Sequence, residues 1–249
     1  MARRARRRGL RLLGALACLV VLGWFAGPRL LAALGRYLVT DQPLERADAI
    51  AVLAGGVPGR PMEAAELHRE GWAPRIILSD EQKAPGYYEL ADRGLRLPWT
   101  LERSERVVAF LGVDRRAVDR IEQDFGSTVE ELCGLVRHAR AQRYRTLILV
   151  SDQFHTTRAA KIMALLSDGE VRTIARASRY TLYRGERWWE SRRGARELLF
   201  EYQKLLNHWR IAAQTRLAGW ARRLLGRPRT AFDALCRPEP PPSAARAGR

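Results

Sequence analysis

Short apolar runs and amphipathic stretches alternate along the middle of the chain. ADAIAVLAGG (47–56) is apolar and β-branched and ends in two glycines, and PMEAAELHREG (61–71) then opens on proline and closes on glycine, as a helix does. PRIILSD (74–80) repeats the strand pattern, and a helix is expected over Glu102 to Leu111. AVDRIEQD (117–124) reads as a third strand, with a helix from about Thr128 to Gln142 after it. TLILVSD (146–152) is the strongest strand; a helix from about Thr157 to Leu166 and a weaker strand, EVRTIAR (170–176), complete the series. Strands that alternate with helices imply right-handed crossovers and a mainly parallel sheet covered by helices on both faces. The expected fold class is therefore α/β and Rossmann-like.

In such a sheet every strand delivers its carboxyl end to one edge, where ligands bind. The polar clusters fall there. Gly55 and Gly56 follow the first strand, Ser79 and Asp80 the second, Asp124 to Thr128 the third, and Ser151 to Arg158 the fourth. GGVPGR (55–60) has neither a dinucleotide fingerprint nor a Walker lysine, but its glycines let backbone approach a ligand and Arg60 is suited to grip a phosphate or carboxylate. In SDQFHTTR (151–158), Thr156 or Thr157 is expected to cap a helix whose free amides favour an anion. His155 and Arg158 would face the pocket, with His155 and Asp152 as candidate catalytic residues and Arg158 and Ser151 as ligand contacts. QDFGSTVEE (123–131) offers Ser127 and Thr128 as caps, and either Glu130 or Glu131 to reach inward, Glu130 being the one assigned to the ligand.

Composition changes this picture little. The formal charge is +17, yet 41 of the 44 basic residues are arginine and no nucleic-acid-binding module is legible, so specific nucleic-acid binding is not expected. Cys18, Cys133 and Cys236 lie far apart and read as structural or incidental, without a disulfide framework. The four histidines are scattered, and no protein-held metal is expected. No cofactor is assigned.

The termini point to a membrane. Residues 1–11 carry six arginines, and an apolar run from Leu12 to Ala26 follows. At 1.5 Å per residue that run is about 22 Å, which snorkelling at Arg29 or continuation to Leu34 would extend toward a span. A cleaved signal peptide has a similar apolar core, but no clear A-x-A site follows Phe25, which favours an uncleaved anchor over 12–34. The arginines would stay cytoplasmic, making the chain a single-pass protein of the inner or plasma membrane with its main domain extracytoplasmic. A linker is expected over 35–45 and the α/β domain over 46–207. Residues 208–236 read either as a basic amphipathic helix on anionic lipid or as a last core helix, and the proline-rich 237–249 as a disordered tail.

In the order and spacing of DAIAVLAGG, Arg60 with AAELHREGWAPRIILSD, STVEE, LILVSDQFHTTRAAKIM and RWWESRRGARELLFEYQKLL, residues 46–206 resemble the YdcF, SanA and ElyC-like domain of bacterial envelope proteins. The resemblance implies a Rossmann-like domain with a role in envelope integrity or in metabolism of the peptidoglycan lipid carrier. By position it implies a pocket of Gly55, Gly56, Arg60, Ser79, Thr128, Glu130, Ser151, His155 and Arg158, with Glu201 and Lys204 as a late helical acid and lysine. Asp80 and Glu81 replace glycines, Phe125 replaces a polar residue, and 81–101 is an insertion. The expected function is a membrane-anchored envelope factor that binds, or binds and processes, an anionic phosphorylated precursor. The alternatives are an S-adenosylmethionine-type binder, with Asp80 or Glu130 holding the ribose, and a non-catalytic scaffold on the membrane surface.

Overall fold

A computed structural model describes residues 23–224 and 231–236. Five strands, β1 (Ala49–Val52), β2 (Ile76–Glu81), β3 (Val118–Phe125), β4 (Thr146–Ser151) and β5 (Arg172–Ala177), form one sheet in the order β3-β2-β1-β4-β5. Every pairing is parallel. The helices are α1 (23–37), α2 (Gly59–Arg69), α3 (Pro85–Asp92), α4 (Thr100–Phe110), α5 (Thr128–Gln142), α6 (Thr156–Ser167), α7 (Arg192–Leu224) and α8 (Ala231–Leu235).

The two-residue period of the strands divides the core. Ala49, Ala51, Leu53, Leu147 and Leu149 point to the face covered by α5, α6 and α8, with Leu132, Val136, Ile162, Met163 and Leu166 packed on them. The alternate positions Ile50, Val52, Ile76, Leu78, Ile148 and Val150 face α2 and α4 through Ala64, Leu67, Leu101 and Val108. Because both faces are covered, the inner strands β1, β2 and β4 read as mainly apolar runs, as buried parallel strands do, while the edge strand β3 stays largely polar.

The central β1 ends in a turn that only glycines enter easily, with Gly55 at φ +84° and Gly56 at φ +58°. At the other side, β3 bulges against β2 between Ser79 and Asp80, so that Asp80 pairs with Asp124 and Glu81 with Phe125. The Phe125 ring then fits against α5 because residue 134 is glycine: a Cβ there would stand 2.4 Å from the ring.

Three expectations change. Two of the three cysteines are structural and form a disulfide that was not expected, Cys133 of α5 being bonded to Cys236 after α8 across a sequence separation of 103, while Cys18 lies outside the described residues. One long-range pair among three scattered cysteines has no spacing signature, which is why sequence reading passed over it. The 35–45 stretch is not a free linker: Gln42 N donates to Ala175 O at 2.9 Å, and Leu38 is fully buried against Leu198 and Leu205 of α7. The boundary expected at 207 falls inside the continuous α7.

Residues 1–22, which hold the expected basic n-region and the first part of the membrane segment expected over 12–34, lie outside the described residues. Among the described residues no helix is long and apolar enough to cross a membrane. The described part, α1, packs its carboxyl end on the domain, with Trp188 Nε1 donating to Leu31 O and Tyr202 Oη to Leu34 O. The proline-rich 237–249 also lies outside the described residues, as do the side chains of Trp220 and Leu224. Residues 231–236 pack on the core: Phe232 and Leu235 lie against it, and the Arg140 guanidinium sits 4.3 Å from the Phe232 ring centre.

Candidate functional site

At the carboxyl edge of the sheet, the loops after β1, β2, β3 and β4 and one face of α7 enclose a cavity of about 260 Å³. Arg60, Asp80, Ser127, Thr128, His155 and Arg158 line it, together with Glu81, Glu131, Glu201 and Lys204.

The β4 loop supplies the most buried chemistry. Asp152 precedes a short turn over Gln153–His155, and α6 starts at Thr156. The expected threonine cap does not form. Thr156 Oγ1 accepts from Thr40 N at 2.8 Å and Thr157 Oγ1 donates to Tyr37 O at 2.9 Å, so both hydroxyls fasten the segment after α1 instead. Asp152 does not pair with His155 either; its carboxylate takes Arg60 Nη2 at 2.7 Å.

His155 and Arg158 are buried under α7 and do not project freely into the pocket. Arg158 forks onto Glu201, Nε to Oε2 at 2.7 Å and Nη2 to Oε1 at 3.1 Å, while Nη2 also lies 2.9 Å from His155 Nδ1. Nδ1 also lies 3.3 Å from Glu201 Oε2; the shorter contact, to a guanidinium that only donates, is met with Nδ1 as acceptor and the ring proton on Nε2. Burial, joined by the Arg158 and Arg60 charges, pushes the imidazole pKa down to about 4 against the pull of Glu201. His155 is thus a neutral ring near pH 7, and Nε2 has no protein partner among the described residues. Lys204 Nζ donates to the same Glu201 Oε1 at 2.9 Å. Burial pushes the Glu201 carboxyl up, but its contacts with His155 and Arg158 outweigh that and hold it below the usual carboxylate range.

Arg60 is committed to protein. Nη1 donates to Leu53 O at 3.0 Å and also to Ala54 O, and Nη2 reaches Asp152, tying the ends of β1 and β4 together. A Cβ on Gly56 would stand 2.5 Å from Arg60 Nε, so the second glycine makes room for the arginine as well as for the turn.

At α5 the sequence pattern chose the wrong glutamate. Ser127 caps the helix, its Oγ accepting from Glu130 N at 3.3 Å, and the Glu130 carboxylate folds back to accept from Gly126 N at 3.0 Å. Glu131 is the one that turns inward. Its Oε1 accepts from Ala54 N at 2.6 Å and Ser79 Oγ at 2.5 Å, while Oε2 has no protein partner among the described residues. Burial pushes this carboxyl up to about 7, with the Glu81 charge adding and Ser79, Ala54 and Arg60 opposing. Ser79 therefore orients Glu131 and does not meet the cavity, and Ser151 is fully buried with an unpartnered Oγ. Helical periodicity carried the missed signal, since Glu131 shares the buried face of α5 with Leu135 and Ala139, four and eight residues on.

The insertion closes the β2 side. Lys83 Nζ lies between Asp80 Oδ2 at 2.9 Å and Asp124 Oδ1 at 2.8 Å, and Tyr88 Oη donates to Asp124 at 2.6 Å. Glu81 accepts from the Thr100 hydroxyl at 2.5 Å, and Trp99 Nε1 donates to Glu81 O. Among the described residues no group of three or more His, Cys, Asp or Glu side chains is placed to hold a metal ion. The chemistry this arrangement offers is therefore hydrogen bonding and proton handling by a neutral imidazole and a carboxyl that changes charge near neutrality, beside a partly exposed lysine. No protein-family model matches the chain, and no curated protein is similar to it in sequence.

Proposed function

We propose that the chain is a membrane-anchored cell-envelope factor, akin to the YdcF, SanA and ElyC-like proteins it resembles, whose sheet-edge pocket binds an anionic, phosphorylated envelope precursor. The observation that carries the reading is the cluster on Glu201. One carboxylate holds both Arg158 and Lys204, which leaves the α6–α7 wall of the cavity with a surplus positive charge beside the unpartnered Nε2 of His155. A phosphate oxygen would take Lys204 and His155 Nε2–H without breaking the Arg158 fork. Glu131 and His155 are the groups available to move a proton if the ligand is processed.

The Cys133–Cys236 bond supports an extracytoplasmic domain, because structural disulfides persist in oxidising compartments. The S-adenosylmethionine reading draws less support. Asp80 is held by Lys83, the Glu81 amide and the Leu101 amide, and Glu130 is held by Gly126, so both carboxylates proposed for the ribose are already engaged.

Calorimetric titration of the detergent-solubilised full chain with ethyl phosphate tests the reading. Binding that weakens at least tenfold in Lys204→Gln is expected, and an unchanged affinity in that variant would sink the assignment. A periplasmic topology reporter fused after Cys236 should be active; activity of a cytoplasmic reporter alone would refute the location.

A further inference from the structure

The cavity is charged in two opposite senses, and strand order separates them. The wall made by α6 and α7 carries Arg158 and Lys204, whereas the end of β2 carries Asp80 and Glu81. Pairing does not cancel either side. On the α6–α7 wall two cations, Arg158 and Lys204, share the single carboxylate of Glu201. On the β2–β3 wall Asp80, which lines the cavity, is paired with Lys83. Glu81 adds a further carboxylate to that wall. It lines the cavity, takes one hydrogen bond from Thr100 on Oε1, and has no cationic partner among the described residues. Arg60 does not balance it, being matched by Asp152.

Between the walls sits Glu131. Its side chain is 7% exposed, its Oε1 is saturated by Ala54 and Ser79, and its Oε2 is left to the cavity without a partner. That oxygen opens onto the cavity, where a donor on a ligand can meet it. This is a position for a ligand, independent of the charges on either side.

We infer that the ligand of this pocket is a zwitterion, carrying a phosphate at the Lys204 and His155 wall and a protonated amine at the Glu81 and Asp80 wall. A purely anionic ligand would face the unbalanced Glu81 carboxylate across a cavity of about 260 Å³, short enough for like charges to repel. A ligand with both charges satisfies both walls at once. The inference rests on the reading of the pocket as a phosphate site and narrows the class of molecule to aminoalkyl phosphates.

The test compares O-phosphoethanolamine with ethyl phosphate, which has the same backbone without the amine, by calorimetry on the detergent-solubilised full chain. O-phosphoethanolamine should bind at least tenfold more tightly. Glu81→Gln should erase that difference, tightening ethyl phosphate as the repulsion is removed and weakening O-phosphoethanolamine, and Lys204→Gln should weaken both ligands by the same factor. Equal affinity of the unsubstituted protein for the two compounds overturns the zwitterion and leaves the phosphate site standing. Absence of binding by both overturns the site as well. The comparison in the unsubstituted protein decides the matter even if Glu81→Gln does not fold.

Discussion

His155 and Glu131 are the two groups of the site whose protonation the fold shifts furthest toward neutrality, and they shift in opposite senses. A histidine held near 4 when folded and at 6.5 when free binds fewer protons in the folded state, so its contribution to stability is lost as pH falls from about 6.5 toward 4. A carboxyl held near 7 when folded and at 4.5 when free binds more, so its contribution is present at low pH and lost as pH rises from about 4.5 to 7. Over the shared window the two largely offset. Glu131→Gln keeps an acceptor for Ala54 and Ser79 and removes the second dependence. Its stability relative to the parent should therefore rise by about 2–3 kcal/mol between pH 4.5 and 7, read by urea unfolding across that range. A constant difference would mean that Glu131 is ionised throughout. Arg158 and Lys204 should separate by stability: Arg158→Ala strips a buried carboxylate of its fork and should cost about 3–5 kcal/mol, whereas Lys204→Gln, at a half-exposed position, should cost less than about 1 kcal/mol. Equal thermal midpoints for the two variants would contradict the burial of the pair. For the same reason Arg158→Ala is a poor probe of ligand binding, although its position before a helix had suggested a pocket-facing side chain.

At the scale of elements, β1, β2 and β4 were legible because parallel strands buried on both faces are written as apolar runs, whereas the edge strands β3 and β5 were legible from their place between helices. The convergence of loops at one edge followed from topology alone. What escaped was set by contacts distant in sequence. Whether Arg60 meets a ligand or Asp152 depends on how β1 and β4 lie side by side, and whether Thr157 caps α6 or binds Tyr37 depends on where the chain before β1 returns. Glu201 entered the sequence reading only through the family resemblance, since a glutamate in a basic amphipathic helix carries no local sign of burial. The Cys133–Cys236 bond belongs to the same class. It holds α8 on α5 and α6 and closes a loop of about 100 residues, so Cys236→Ser should lower stability by about 2–5 kcal/mol. Reductant should lower the parent's midpoint and leave that of Cys236→Ser unmoved.

For the whole molecule, the end of α1 is as much a part of the domain as the strands are. Truncation after residue 22 should leave a folded domain, whereas truncation after residue 38 removes the buried Leu38 and the carbonyls that receive Trp188, Tyr183 and Tyr202. The shorter product should unfold at a lower temperature or fail to accumulate, and matching midpoints by circular dichroism would return 35–45 to the status of a linker.

The Cys133–Cys236 bond also changes what a protease would yield. The strands and helices from β4 through α7 lie within the span it closes, and with them His155, Arg158, Glu201 and Lys204, while Glu131 lies two residues outside. A single nick anywhere between those cysteines cannot release a fragment. The cut chain should migrate as one species on a non-reducing gel and as two on a reducing one. A protein clipped in the exposed stretch around Leu182 would thus keep every wall of its cavity on one covalently connected body.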